Sequence, residues 1–125
     1  MISFDSMVIE EGTPIYIQIL THIKRGIASG TIKDRDELPS RRVLSALLGI
    51  NPNTIQKAYK MLEDENLIES HAGAKSYMKL TEESIRNVKK ELIANDVSAA
   101  VHALKQIGLS KEETIILIDK YWNEV

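Results

Sequence analysis

The sequence predicts a mainly α fold in two parts: a three-helix domain completed by a small β-hairpin, then a two-helix C-terminal module. Three observations predict it. Between residues 13 and 65 apolar residues recur three times at helical spacing, each run opened by a capping residue or a proline. Between residues 67 and 79 that period gives way to two short strand-like runs separated by His71-Ala72-Gly73-Ala74. From Thr81 onward helical spacing returns, with more apolar residues than two helices can bury on each other.

Taken in order, residues 1–12 mix polar and apolar side chains with three acids and read as an arm or short strand. Thr13-Pro14 pairs a cap with a proline at the first helical position, and Tyr16, Leu20, Ile23 and Ile27 form the stripe that follows, up to Gly30. Gln18 and His22 on this helix read as surface or interface residues. Residues 31–37, TIKDRDE, make a charged turn into a very short strand at Glu37-Leu38. Ser40 then caps a second helix, with Val43, Leu44, Leu47 and Leu48 as its inward stripe and Gly49 at its left-handed end. Asn51 caps a third, with Pro52 at its first position and Ile55, Ala58, Tyr59 and Leu62 facing inward. Two helices joined by a short Gly-containing turn make a helix-turn-helix, and the first helix closes its core. With Leu67–Ser70 and Lys75–Lys79 as a hairpin, the domain is a winged helix-turn-helix. His71 beside the hairpin turn reads as a solvated loop histidine.

The tail opens at Thr81, an N-cap followed by Glu82 and Glu83, which complement the helix dipole. Its stripe runs through Ile85, Val88, Leu92, Val97, Ala100, Val101, Leu104 and Ile107, with Asn95-Asp96 as a bend or break. After Gly108, Ser110 and Glu113 have capping-box spacing. The last helix carries Ile115, Ile116, Leu117, Ile118, Tyr121 and Trp122, apolar on more than one side. A second copy of the chain is the economical cover for that surface, so Val97, Val101, Leu104, Ile115, Ile118, Tyr121 and Trp122 are the expected dimer interface. The expected division is residues 1–80 for the winged helix-turn-helix and 81–125 for dimerisation.

Charge points to the partner. The chain has 16 bases and 18 acids, yet no Asp or Glu occurs from Leu38 to Leu62, where Arg41, Arg42, Lys57 and Lys60 lie. Asn53 and Gln56 share the outer face of the third helix, and their amides suit adenine edges as Arg and Lys suit guanine and phosphate. A local positive face on a chain of net charge −2 fits a reader of DNA that binds by one side, not a nonspecific coat.

Other chemistries find no support. The chain has no cysteine, and His22, His71 and His102 lie far apart without metal-ligand spacing, so no metal or cofactor is expected. The six glycines are scattered single residues, and no serine sits in a G-x-S-x-G elbow, so no enzyme is expected. No apolar run approaches 18 residues and the N-terminus lacks the charge and apolar centre of a secretory signal, which makes the cytoplasm the expected location. A small-molecule effector is possible but not indicated, because two tail helices offer little concave volume unless a dimer builds it.

The segments PIYIQILTHIKRGIASG (14–30), LPSRRVLSALLGI (38–50) and NPNTIQKAYKMLEDENLIES (51–70) resemble the winged helix-turn-helix domain of the GntR family of bacterial transcription regulators. NPNT followed by a KAY tripeptide resembles its short-tailed YtrA-type subfamily. The resemblance implies DNA contact by Arg42, by Asn51, Asn53, Thr54, Gln56 and Lys57 on the recognition helix, and by Gly73 at the wing tip. Three positions depart from the pattern. Arg35 stands where the family has the glycine of a Pro-Gly-Asp turn, Asn66 replaces the glycine after the recognition helix, and Lys75 replaces the second glycine of the wing. Lys75 adds a cation within reach of phosphate. Together these predict a homodimeric, sequence-specific repressor that reads an inverted repeat in a double-stranded operator with the helix from Pro52 to Glu65. By resemblance, it controls its own transporter-type operon. The alternative is a winged-helix adaptor that binds protein through the same face and no DNA.

Overall fold

The computed structural model describes residues 1–71 and 75–125. Its elements are α1 (Ile15–Ser29), β1 (Glu37–Leu38), α2 (Arg41–Leu48), α3 (Pro52–Asp64), β2 (Ile68–His71), β3 (Lys75–Met78), α4 (Glu82–Gln106) and α5 (Lys111–Trp122). They form two compact units, Met1–Lys90 and Glu91–Val125, so the boundary falls within α4.

In the first unit the stripes of α1 and α3 meet. Ile19, Ile23 and Ile27 are fully buried, as are Ile55, Ala58 and Leu62. Fully burying an isoleucine or leucine contributes roughly 1.5–3 kcal/mol, so this seam is a major stabilising feature of the unit. At its edge the Lys24 ammonium, itself buried, pairs with Glu65 at 2.9 Å and ties α1 to the end of α3. The sheet is antiparallel with order β1-β3-β2, in the register Leu38 to Ser76 and Ser70 to Ser76.

Capping chemistry sets the joints. Ser40 Oγ accepts the Val43 N–H, Gly49 ends α2 at φ 67°, and the Ile50 N–H returns to Ser45 O at 3.1 Å. Asn51 Oδ1 accepts the Asn53 N–H at 2.8 Å, with Pro52 opening α3. At the far end the Leu67 N–H bonds Leu62 O and the Asn66 N–H bonds Glu63 O, which is a complete Schellman motif. Asn66 takes the left-handed position at φ 58°, and Arg35 does likewise at φ 71°. Both are positions where the sequence puts a side chain in place of a family glycine.

Several expectations need correction. Pro14, not Thr13, is the residue before α1, and no side chain caps it. The first twelve residues are not a loose arm: Ile2 and Phe4 are buried, and the Ile2 N–H bonds Glu37 O at 2.8 Å. His22 and Gln18 hold that segment. His22 Nε2 meets Ser3 O at 2.9 Å with its ring against Phe4, and the Gln18 amide bonds Glu10 and Thr13 backbone at 2.8 Å. On α2 only Leu44 is buried; Val43 and Leu47 are half exposed, because so short a helix presents a single line of side chains to the core. His71 belongs to β2, not to the turn.

In the second unit Asn95-Asp96 does not break the helix, since α4 runs on through it. The start of α4 is capped reciprocally: Thr81 Oγ1 accepts the Ser84 N–H, and Ser84 Oγ accepts the Thr81 N–H. Ser110 and Glu113 form the predicted capping box at 3.1 Å each way, and these bonds hold the Glu113 carboxyl below its ordinary pKa. No residue of α5 is buried.

Arg35 carries a side chain where the backbone favours glycine, at a strain of roughly 1–2 kcal/mol. Arg35→Gly relieves that strain and adds about 0.5–1 kcal/mol of chain entropy to the unfolded state. It is expected to raise stability by up to about 1 kcal/mol, whereas Arg35→Ala is expected to give no gain; denaturant midpoints of both variants check this.

Candidate nucleic-acid interface

Burial of Ile55, Ala58, Tyr59 and Leu62 forces the other side of α3 outward. Asn53, Gln56, Lys57 and Lys60 are exposed there, and Thr54 sits half buried beside them. At 13 residues α3 is about 20 Å long, a length and girth that enter the major groove. Arg41 and Arg42 open α2 and are exposed as well.

The protein brings several of these side chains together. The Arg41 guanidinium donates to Gln56 Oε1, joining the start of α2 to the outer face of α3. The Lys57 ammonium lies over the Tyr16 ring, 4.0 Å from its centroid. Lys60 is paired with Asp64 at 2.8 Å, and that hydrogen bond and charge raise the lysine's pKa. Asn51 is occupied in capping, and its carbonyl accepts the Thr54 N–H at 2.9 Å. Lys75 lies on a separate element, exposed on β3 opposite His71. The His71 ring stands edge-on to Tyr77, with Nε2 3.8 Å from the Glu69 carboxylate. Gly73 lies outside the described residues.

One buried bond aligns the two helices. The Tyr59 hydroxyl donates to Pro39 O at 2.7 Å, fixing the residue that precedes the α2 cap against α3. Burial raises the Tyr59 pKa, an effect only partly offset by the nearby Arg41 charge.

In the second unit the residues expected at a dimer interface are largely uncovered. Val97, Val101, Ile115, Ile118 and Tyr121 are about half exposed, Trp122 is 75% exposed, and Leu104 is half buried. Ile118, Tyr121, Trp122 and Val125 line one apolar recess. Sequence reasoning missed Tyr16, Asp64 and the Tyr59–Pro39 bond. Asp64 was legible, four residues after Lys60 on the same helix face; the other two depend on tertiary approach.

Residues 15–77 match the family model described as bacterial regulatory proteins, gntR family. The chain belongs to the GntR family. It is similar to the HTH-type transcriptional repressor YtrA of Bacillus subtilis (strain 168), 38% identical over 86% of this chain and 78% of that one. A GntR family transcriptional regulator from Listeria monocytogenes shares its structure with a TM-score of 0.79, at 29% identity over 90% of this chain and 98% of that chain. YtrA from Sulfolobus acidocaldarius, a GntR-family transcription factor, matches with a TM-score of 0.55, at 34% identity over 96% of this chain and 97% of that chain. This GntR protein, of the YtrA type, is therefore a winged-helix, DNA-binding transcription regulator, and its relatives are regulators rather than enzymes. Among the described residues no helix is long and apolar enough to cross a membrane.

Tyr59→Phe leaves the buried Pro39 carbonyl without its donor and is expected to cost about 1–3 kcal/mol. The raised pKa adds a signature. Stability from neutral Tyr59 is complete below the ordinary tyrosine pKa of about 10 and is lost as pH rises toward the folded value. Unfolding measured between neutral and strongly alkaline pH should show that loss in the wild type and lack it in Tyr59→Phe.

Proposed function

We propose that this GntR protein is a homodimeric repressor that reads an inverted repeat with the outer face of α3. The observation that carries the reading is the exposed, acid-free surface formed by Arg41, Arg42, Asn53, Gln56 and Lys57 on two helices locked together. Asn53 and Gln56 address base edges. Arg42 reads guanine or grips phosphate, Arg41 aligns Gln56, and Lys57 and Lys60 bind phosphate, Lys60 by exchanging Asp64 for it. Asn51 and Thr54 set the start of the recognition helix beside the backbone, while Lys75 and the wing tip at Gly73 reach the flanking phosphates.

Dimerisation rests on residues 81–125, whose apolar side chains from Ile93 onward are too exposed for a chain that acts alone. Two copies then place two α3 helices on successive turns of one DNA face, about 34–36 Å apart, which makes the target an inverted repeat. The name of YtrA supports repression; regulation of its own, transporter-type operon follows from the family resemblance.

The test is titration of the full chain against duplexes carrying the whole repeat and one half, with the sequence taken from its own promoter. The whole repeat should bind far more tightly than the half, because the second contact acts at a millimolar effective concentration. Arg42→Ala should weaken the whole site by about 1–3 kcal/mol without loss of fold. A folded Arg42→Ala protein with wild-type affinity contradicts the assignment of that residue.

Trp122→Ala should shift the monomer–dimer equilibrium toward monomer by about 2 kcal/mol, as for a central aromatic anchor. Sedimentation of the two proteins checks this. An unchanged dimer would move the interface away from α5.

A further inference from the structure

We propose that Tyr16, on the first turn of α1, is a positioning residue for DNA binding: its ring holds the Lys57 ammonium ready for a phosphate. The proposal rests on Lys57 being a DNA contact. Lys57 is an exposed side chain on a flexible four-carbon stem, and free in solution it has many rotamers to lose on binding. Here its nitrogen lies 4.0 Å from the Tyr16 centroid, well inside the range at which an aromatic face attracts a cation.

The ring is itself fixed. Tyr16 begins the α1 stripe whose next members, Ile19, Leu20 and Ile23, are buried, and it is only partly exposed itself. Two residues on, the Gln18 amide makes three 2.8 Å bonds to Glu10 and Thr13, which pin the segment entering the helix.

The comparison with Lys60 shows why an aromatic partner matters. Lys57 and Lys60 stand one turn apart on the same exposed face, and both are ordered by a neighbour. Asp64 orders Lys60 at 2.8 Å and cancels its charge, so phosphate must displace a carboxylate. Tyr16 orders Lys57 without cancelling anything. A ring covers one side of the ammonium and leaves N–H donors on the other, with the full positive charge outward. Lys57 thus meets DNA with part of its rotamer entropy already lost and its charge intact, which recruits α1 into the interface although no α1 residue need touch a base.

The experiment uses the full chain and a duplex recovered by in vitro selection from random-sequence DNA with the wild-type protein. Tyr16→Leu, Tyr16→Phe, Lys57→Ala and the Tyr16→Leu/Lys57→Ala double variant are titrated at several salt concentrations. Tyr16→Phe keeps the aromatic face and should bind like wild type. Tyr16→Leu should bind about two- to fivefold more weakly with its salt slope unchanged. Lys57→Ala should weaken binding and make the salt slope shallower by about one. In the Lys57→Ala background Tyr16→Leu should have no further effect. Without DNA, the Lys57 ε-methylene protons should show a ring-current shift in wild type and Tyr16→Phe that is absent in Tyr16→Leu.

Equal or tighter binding by Tyr16→Leu overturns the proposal. So does the same loss in both Lys57 backgrounds, which marks a packing role only. If Lys57→Ala binds like wild type, the DNA-contact reading of Lys57 fails and the proposal falls with it; a weakened Lys57→Ala beside an unaffected Tyr16→Leu sinks the proposal alone.

Discussion

The helical repeat of α3 is the constraint on which the first unit depends. With 3.6 residues per turn, a helix that buries positions 55, 58, 59 and 62 must turn positions 53, 56, 57 and 60 outward. Core packing and the proposed reading of DNA are therefore two faces of one element. The depth at which Ile55 and Leu62 seat against α1 decides how far Asn53 and Gln56 project. The helix cannot be re-aimed without opening the core, so its rigidity comes from the same apolar contacts that stabilise the fold.

Around that helix, single polar contacts fix orientation where apolar packing is indifferent to it. Tyr59 to Pro39 sets the start of α2 against α3, Lys24 to Glu65 ties α3 back to α1, and Arg41 to Gln56 crosses the outer face. Each removes a direction in which α3 could slide against its neighbours, and the last also decides which way the Gln56 amide points. Arg41, Lys57 and Lys60 are each held by a neighbour, which on the proposed reading lowers the entropy lost on binding DNA. The net charge of −2 is compatible with this, because the positive charge is concentrated where the acids are absent.

Local chemistry was legible in the sequence; side-chain neighbours across elements were not. Ser40, Gly49, Asn51-Pro52 and the Ser110–Glu113 box marked helix ends because each satisfies backbone groups within a few residues of itself. Arg35 and Asn66, read as replacements for glycines, do adopt left-handed backbone. The apolar pattern overreached in α2, where Val43 and Leu47 have helical spacing but no facing element over them. It fell short in residues 1–12, where Ile2 and Phe4 fill the core on an alternation too short to announce them. The acid-free window located the candidate site, yet Lys57 on Tyr16 joins residues 41 positions apart, and no spacing rule connects them.

If the α2–α3 face binds DNA through its charges, wild-type binding must depend steeply on salt. A dimer presenting Arg41, Arg42, Lys57 and Lys60 from each subunit would release counterions from several phosphates at once. Plotted as log affinity against log salt for a specific duplex, binding should then fall with a slope of roughly −4 or steeper. A flat line, or no binding to duplex DNA at low salt, would contradict the account and leave the face to a protein partner.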